Sequence, residues 1–406
     1  MKILVVTQYY YPEPFRINEI CEELVRRGHQ VSVLTTNPNY PDGEIYEGYY
    51  NKYCKKTING VEVIRCKSRP RHKGAVNLAL NYISFVRNAN RIVDSMTEEY
   101  DVVYMYQLSP ITSCIPAIRY KKKHKIPIIL YCLDIWPESL KGSALEKGFI
   151  FRYFTRLSKK IYKSVDEIAV TSPSFVNYLS KLCGISEREI TVIYQHADRI
   201  DTCKTDSKLV DKYNEYVNFM FMGNIGESQN LEGIVRAVSQ VKNKKQMRFH
   251  VVGSGSCLEK VKKLVSEMKL EDVFIFHGRH PKDEMPRFYS IGDICVVSLK
   301  DEGITGYTIP GKVQEYMSAG KPILAYMNGD TRAIMEESMC GRCVEADNIE
   351  GLIEAIADTI ECRNRLPELG KMAKEYYENH FTLEQHVNYL EKILKRVIEE
   401  KNEEKM

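Results

Sequence analysis

Lys312 and Glu315 lie three residues apart, just behind a Pro310-Gly311 break, and this combination suits a nucleotide. From Lys312 to Ser318 the chain takes helical spacing, with Val313, Tyr316 and Met317 on one side. A helix that begins after such a turn presents free backbone N–H groups and the positive end of its dipole, which favours phosphate. Lys312 adds a full charge there. Glu315 lies one turn on, where a carboxylate can accept from two vicinal hydroxyls such as those of ribose. Gly320 suits a C-cap, Pro322 cannot continue a helix, and Ile323–Ala325 has the look of a short buried strand. Taken alone, these residues fit an ordinary, well-capped α/β helix equally well.

Other groups along the chain invite the same question. Gly223 and Gly253 each stand in a glycine-containing turn after an apolar run, and Arg279 follows Gly278 in a third such turn. Asp134 and Glu138 lie just past the run Pro127–Leu133. In a parallel sheet that is the ligand side. Trp136, the single tryptophan, sits between them and suits packing more than sugar stacking. Between Arg65 and Lys73 five cations alternate (Arg65, Lys67, Arg69, Arg71, Lys73), so an extended segment would line them along one edge. Gly148–Ser164 is a strongly amphipathic helix. Ile150, Phe154, Leu157 and Ile161 form its stripe, and Arg152, Arg156, Lys159 and Lys163 lie opposite. A solvated basic face accounts for either segment; contact with an anionic membrane surface accounts for both, and a pyrophosphate equally for the five cations.

The elements that must position these residues alternate strand and helix. Ile3–Thr7, a helix over Ile17–Arg27 and Val31–Leu34 make a βαβ unit. Asn37–Gly48 is a long loop of Pro, Asn, Asp and Tyr, read as an acceptor loop. Further strands are predicted at 101–106, 127–133, 166–171 and 190–194. In the second half they are predicted at 219–222, 248–252, 273–276, 294–298, 323–325 and 342–345, with helices between them. The hydrophilic run Asp198–Asp211, which includes Lys204, reads as the linker. The predicted architecture is α/β with two Rossmann-like, doubly wound domains at 1–198 and 199–380, and a last helix, about Leu383–Glu399, within 381–406.

Several long stretches resemble family 4 retaining glycosyltransferases of the bacterial surface-polysaccharide branch. EYMSAGKPI matches the donor-nucleotide signature, and QYYYPEPFRINEICEELVRRGHQVSVLTTNPNYPDG, YQLSP at 106–110 and LDIWPESL at 133–140 extend the match over nearly the whole chain. The resemblance implies the GT-B arrangement, two domains facing across a cleft, with the last helix packing back toward the first domain. It implies that Gly223, Asn224, Gly253, Arg279, Gly311, Lys312 and Glu315 surround a nucleotide-sugar, and that Asp134 orients the sugar or the acceptor hydroxyl, or caps its own turn. Four departures stand out. Asn224 and Gln229 replace an Arg and a Lys that neutralise the donor diphosphate. Tyr307 replaces a partner Glu, and Leu133 replaces a His. Phe15 and Arg16 replace a Gly-Gly pair, so Arg16 either supplies charge or faces solvent. Neutral amides cannot offset two negative charges; Lys312, Arg16 or a helix dipole must then do so. No D-x-D pair is present, and metal-independent transfer without a cofactor is expected.

Composition sets the remaining bounds. At 406 residues and 44% hydrophobic, the chain can build two cores. Twelve cysteines without zinc-type spacing, a single C-x-x-C pair (Cys340 and Cys343) among them, and a start (KILVV) too short for a signal or span, lead us to expect a cytosolic protein with reduced thiols. The net charge of +4 divides unevenly: residues 1–200 carry 29 basic against 20 acidic side chains, or +9, which leaves −5 for the rest. The basic half suits an anionic partner. No nucleic-acid module accompanies it, so nucleic acid is not expected. The expected function is that of a retaining enzyme that moves a sugar from a nucleotide donor, a UDP-sugar by preference, to a polyprenyl pyrophosphate-linked acceptor. It would work peripherally at the inner membrane face, in capsule, O-antigen or exopolysaccharide synthesis. A nucleotide-sugar 2-epimerase and a non-catalytic donor-binding assembly subunit are the alternatives.

Overall fold

A computed structural model describes residues 1–140, 148–201, 206–301 and 307–403. Lys204, named above, lies outside the described residues. The chain divides into two compact units, Met1–Tyr194 with Leu383–Met406, and Gln195–Thr382.

The N-terminal unit runs β1 (Lys2–Val6), α1 (Ile17–Arg26), β2 (Gln30–Thr36), β3 (Cys54–Ile58), β4 (Val61–Cys66), α2 (Ala75–Ser95), β5 (Val102–Gln107), α3 (Ile115–His124), β6 (Ile128–Cys132), α4 (Phe149–Tyr162), β7 (Glu167–Val170), α5 (Pro173–Cys183) and β8 (Ile190–Val192). Its sheet has the order β3-β4-β2-β1-β5-β6-β7-β8. All neighbours are parallel except β3, which pairs antiparallel with β4. Strands β1, β5 and β6 are buried from end to end but for Lys2, as a parallel sheet covered on both faces requires.

The C-terminal unit runs α6 (Ser207–Tyr213), β9 (Val217–Met222), α7 (Leu231–Gln240), β10 (Met247–Val252), α8 (Leu258–Glu267), β11 (Phe274–Gly278), α9 (Met285–Ile291), β12 (Ile294–Ser298), α10 (Gly311–Ser318), β13 (Ile323–Tyr326), α11 (Thr331–Ser338), β14 (Gly341–Val344), α12 (Ile349–Glu361) and α13 (Leu366–His380). Its six strands are all parallel, in the order β11-β10-β9-β12-β13-β14. The order reverses beside β9. In such sheets ligands bind outside the carboxyl ends at that point, which places the β9 and β12 loops and α10 at the candidate site.

The last helix, α14 (Leu383–Glu403), belongs to the N-terminal unit. Val387, Leu390 and Leu394 enter the same core as Val5, Leu24 and Tyr131. Glu391 accepts from Arg27 Nη1 at 2.7 Å and pairs with His29 Nε2 at 2.5 Å, fastening α14 to the end of α1. Within the C-terminal unit, the entering segment is pinned to α10. Ile200 N donates to Ser318 Oγ at 3.0 Å, and Ser318 Oγ donates to Asp198 O at 2.7 Å.

One expectation is corrected and two features are added. The five-cation edge does not form: β4 ends at Cys66, and Arg65 is 2% exposed. Its guanidinium donates to the carbonyls of Thr36 (2.7 Å) and Tyr11 and lies over the Tyr49 ring. Two backbone carbonyls turned inward needed a donor, and that need outweighed alternation. The stripe of α4 is only partly covered: Ile161 is buried and Phe154 and Leu157 half-buried, but Ile150 is 43% exposed, beside Phe149 at 77% and Tyr153 at 53%. Strand β3 was not anticipated, because CKKTI is polar and pairs only along the sheet edge.

Candidate active site

The C-terminal unit gathers most of the candidate donor residues around the tip of β9. Lys312, in the first turn of α10, lays its ammonium 3.7 Å from the centroid of the Phe221 ring. It forms no ion pair among the described residues. Burial pulls its pKa down to about 7, which Glu315 only partly opposes. A half-buried ammonium held by a ring face alone is poised for an anion. No side chain caps the start of α10, where Gly311 is the first residue. The Tyr316 hydroxyl fixes the helix to the strand, accepting from Met222 N at 3.0 Å and donating to its carbonyl at 3.3 Å.

Gly223 closes the arrangement. Its φ is +123°, and a Cβ there would stand 2.7 Å from Lys312 Cε, so the lysine can reach the strand tip only because the side chain is missing. Gly253, at the end of β10, donates to Gly278 O at 2.7 Å, and a Cβ on it would collide with the carbonyl of Gly223. Asn224 is exposed, and its amide donates to Gln229 Oε1 at 3.1 Å, which also accepts from Gly226 N at 3.0 Å. Thus the two amides order the turn as a pair and bring no charge. Arg279 is exposed beyond β11. Below it His250 Nδ1 and His277 Nε2 lie 2.9 Å apart, and burial lowers their pKa values to about 3 and about 4, so both are neutral near pH 7. Structure thus brings together Gly223, Asn224, Gly253 and Lys312 around one strand tip, with Gly311 and Glu315 on the same helix.

Arg16 and Asp134 belong to the other unit. Arg16 sits at the N-cap of α1. Asp134 is half-buried and its carboxylate is engaged: Oδ1 accepts from Ser139 Oγ and Oδ2 from Trp136 Nε1 at 3.2 Å, while its backbone carbonyl accepts from Gln107 Nε2 at 2.8 Å. It therefore holds the turn after β6. Trp136 is 5% exposed and packs edge-on against Phe154, which is the packing role.

Sequence reasoning passed over Glu13. This fully buried carboxylate accepts from the backbone N–H groups of Tyr10 (3.2 Å), Asn39 and Tyr40 (both 2.8 Å), joining the loop after β1 to the loop after β2. Burial pushes its pKa up, against those three bonds. The acidic residue between Pro12 and Pro14 was the signal, since charge in so rigid a loop needs partners. Asn81 plays a like part, joining Gln8 to the carbonyl of Arg69 at 2.6 Å each.

The chain is similar to known glycosyltransferases over most of its length. Two families match: that described as "Glycosyltransferase Family 4" over residues 16–199, and "Glycosyl transferases group 1" over 204–378. The putative colanic acid biosynthesis glycosyl transferase WcaI of Escherichia coli is 23% identical, over 93% of this chain and 96% of its own. The probable glycosyltransferase WbjE of Pseudomonas aeruginosa is 29% identical, over 66% and 67%. Among solved structures, sucrose-phosphate synthase of Thermosynechococcus elongatus superposes with a TM-score of 0.75 at 16% identity, covering 98% and 99%. Anabaena HepE in complex with UDP superposes with a TM-score of 0.70 at 15% identity, covering 98% and 100%.

Proposed function

Because the chain belongs to the group 1, family 4 glycosyltransferases and has their GT-B fold, we propose that it transfers a sugar from a UDP-linked donor, with retention, to a lipid-linked acceptor in surface-polysaccharide assembly. Membership favours transfer over the epimerase, and nucleotide-dependent transfer by the protein alone is what separates the enzyme from a donor-binding subunit without catalysis. The observation that carries the donor reading is Lys312: an ammonium partly withdrawn from water, without an anionic partner among the described residues, at an uncapped helix start and against a glycine turn. A diphosphate there gains the charge, the helix end and a close backbone approach together. Lys312 takes the part that Asn224 and Gln229, being neutral, cannot. Glu315, one turn along α10, holds the ribose hydroxyls.

The chemistry asks little more of the protein. In a front-face transfer the donor phosphate accepts the acceptor's proton as the glycosidic bond breaks, and fixed charge stabilises the departing nucleotide. Lys312 and the α10 N-terminus supply that charge without a metal. Asp134 keeps the turn after β6 in place for the acceptor. The surface-polysaccharide setting draws on WcaI, whose name refers to colanic acid biosynthesis, and the choice of UDP on the HepE complex. The exposed Phe149, Ile150 and Tyr153 beside Arg152 and Arg156 give the N-terminal unit an apolar and cationic face suited to anionic lipid. No helix among the described residues is long and apolar enough to cross a membrane, so attachment would be peripheral.

Saturation-transfer NMR with UDP, GDP and ADP tests this reading. UDP contact that is strong in the wild type and fades in Glu315→Ala supports it. Preference for GDP or ADP would overturn the donor base, and no nucleotide contact from folded protein would overturn the site.

A further inference from the structure

The sheet of the C-terminal unit ends at β14, and one side of that strand is open. Ile323 N donates to Cys340 O at 3.2 Å and Met327 N to Val344 O at 3.0 Å, so Cys340, Arg342 and Val344 turn their backbone groups to β13. By the alternation of a parallel ladder, Gly341 and Cys343 turn theirs outward, where no strand pairs with them among the described residues. Those two residues and Arg342 line a cavity of about 580 Å³, closed in by the end of α11, by α12 and by the start of α13. Buried Ile294, Leu324 and Leu366 give it an apolar floor. Its charged lining is Glu336, Arg342, Asp358 and Arg365, with Arg342 Nη1 donating to Asp358 Oδ2 at 2.7 Å. Met339 stands at the same rim, 63% exposed and at φ +50°. That left-handed backbone suits Gly or Asn, and an apolar side chain gains nothing there from local hydrogen bonds.

Open strand edges invite pairing, and proteins commonly guard them with lysine or proline. The outer strand of the other sheet, β3, is guarded in this way by Lys55 and Lys56. Strand β14, Gly-Arg-Cys-Val, has neither residue. A surface that meets its own copy about a two-fold axis must carry both signs of charge, and a knob beside a hole. This one has two basic and two acidic side chains, and the Met339 knob beside an apolar cavity. We propose that β14 pairs antiparallel with β14 of a second copy of this chain, with Gly341 opposite itself at the two-fold axis. In that register Met339 of each copy faces Cys343 at the mouth of the other's cavity. Gly341, without a side chain, lets the two strands approach at the axis. Ile294 and Gly341 are the first residues of their strands, so the surface lies at the amino end of the sheet, away from the donor loops at the carboxyl ends. The inference stands apart from the glycosyltransferase reading.

Sedimentation velocity of the full chain tests it over about 1 to 100 μM, where the dimer fraction should rise with concentration. Met339→Asn suits the left-handed backbone and should keep or raise the melting temperature. It should nevertheless weaken the dimer about tenfold or more, because the knob is lost. Cys343→Pro removes an outward N–H and should weaken the dimer about as much. Cys343→Ser keeps that N–H and should leave the dimer unchanged. Should Cys343→Pro fail to fold, Met339→Asn decides alone. A monomer at every concentration would overturn the inference and leave the open edge to a strand from another protein. A dimer that resists both Met339→Asn and Cys343→Pro would lie on another surface, and would overturn the pairing through β14.

Discussion

Lys312 titrates where cells operate, and this has a measurable sign. Burial lowers its pKa to about 7, so the unliganded protein loses this charge as pH rises past that value. A diphosphate needs the protonated form and takes up a proton where it is missing. UDP affinity should therefore weaken from pH 7 to 9, by up to about tenfold per unit. In Lys312→Gln that slope should vanish and affinity at pH 6.5 should fall roughly ten- to a hundredfold, which calorimetry across a pH series would read. The same lysine is less costly to the fold at high pH. Its folded pKa lies below the unfolded value near 10.5, so stability should rise between about pH 7 and 10.5 as the unfolded chain binds the extra proton. Gly223→Ala probes the same contact sterically. Its Cβ would stand 2.7 Å from Lys312 Cε, so the lysine must withdraw; we expect UDP binding to weaken about tenfold or more while far-ultraviolet circular dichroism stays unchanged.

At the scale of elements, the parallel strands other than β4 were legible because each is a short run of buried apolar residues between turn residues. The predicted 294–298 strand coincides with β12, and most others differ by a residue or two at their ends. What was not legible depended on neighbours. Strand β3 is visible only through its pairing with β4, and Arg65 looked like one cation in a row until the Thr36 and Tyr11 carbonyls were placed beside it. Donor residues on α10 were readable from a local pattern of turn, charge and helix. The open edge of β14 was not, since strand order depends on pairing between distant segments. The fastening of α14 can be tested directly. Burial alone would raise the pKa of Glu391, but bonds from His29 and Arg27 outweigh it and hold it low. This contribution is present above the unfolded carboxylate pKa and is lost as pH falls through the lower folded value. Glu391→Gln should cost about 1–2 kcal/mol at pH 7, seen as a lower melting temperature whose deficit shrinks in acid.

For the whole molecule, the division of charge is the feature with the widest reach. The first 200 residues carry +9 and the remainder −5, so a negatively charged surface attracts one part of the chain and repels the other. Sedimentation with anionic vesicles should bring down the protein at low salt. Release should follow between about 0.1 and 0.5 M NaCl, where charges are screened within roughly 10 Å or less. Replacing Phe149 and Tyr153 by Ser should reduce the bound fraction at every salt concentration, and neutral vesicles should retain little.

One linkage described above has a mechanical meaning. Lys312 lies in the first turn of α10 and Ser318 closes it, and between them the helix rises roughly 9 Å. The rear of the helix grips the entering chain through Asp198 and Ile200, and Lys374 Nζ steadies that end by donating to Ser318 O at 2.6 Å. One short helix therefore sets a fixed distance between the lysine that faces the strand tip and the segment that enters the unit.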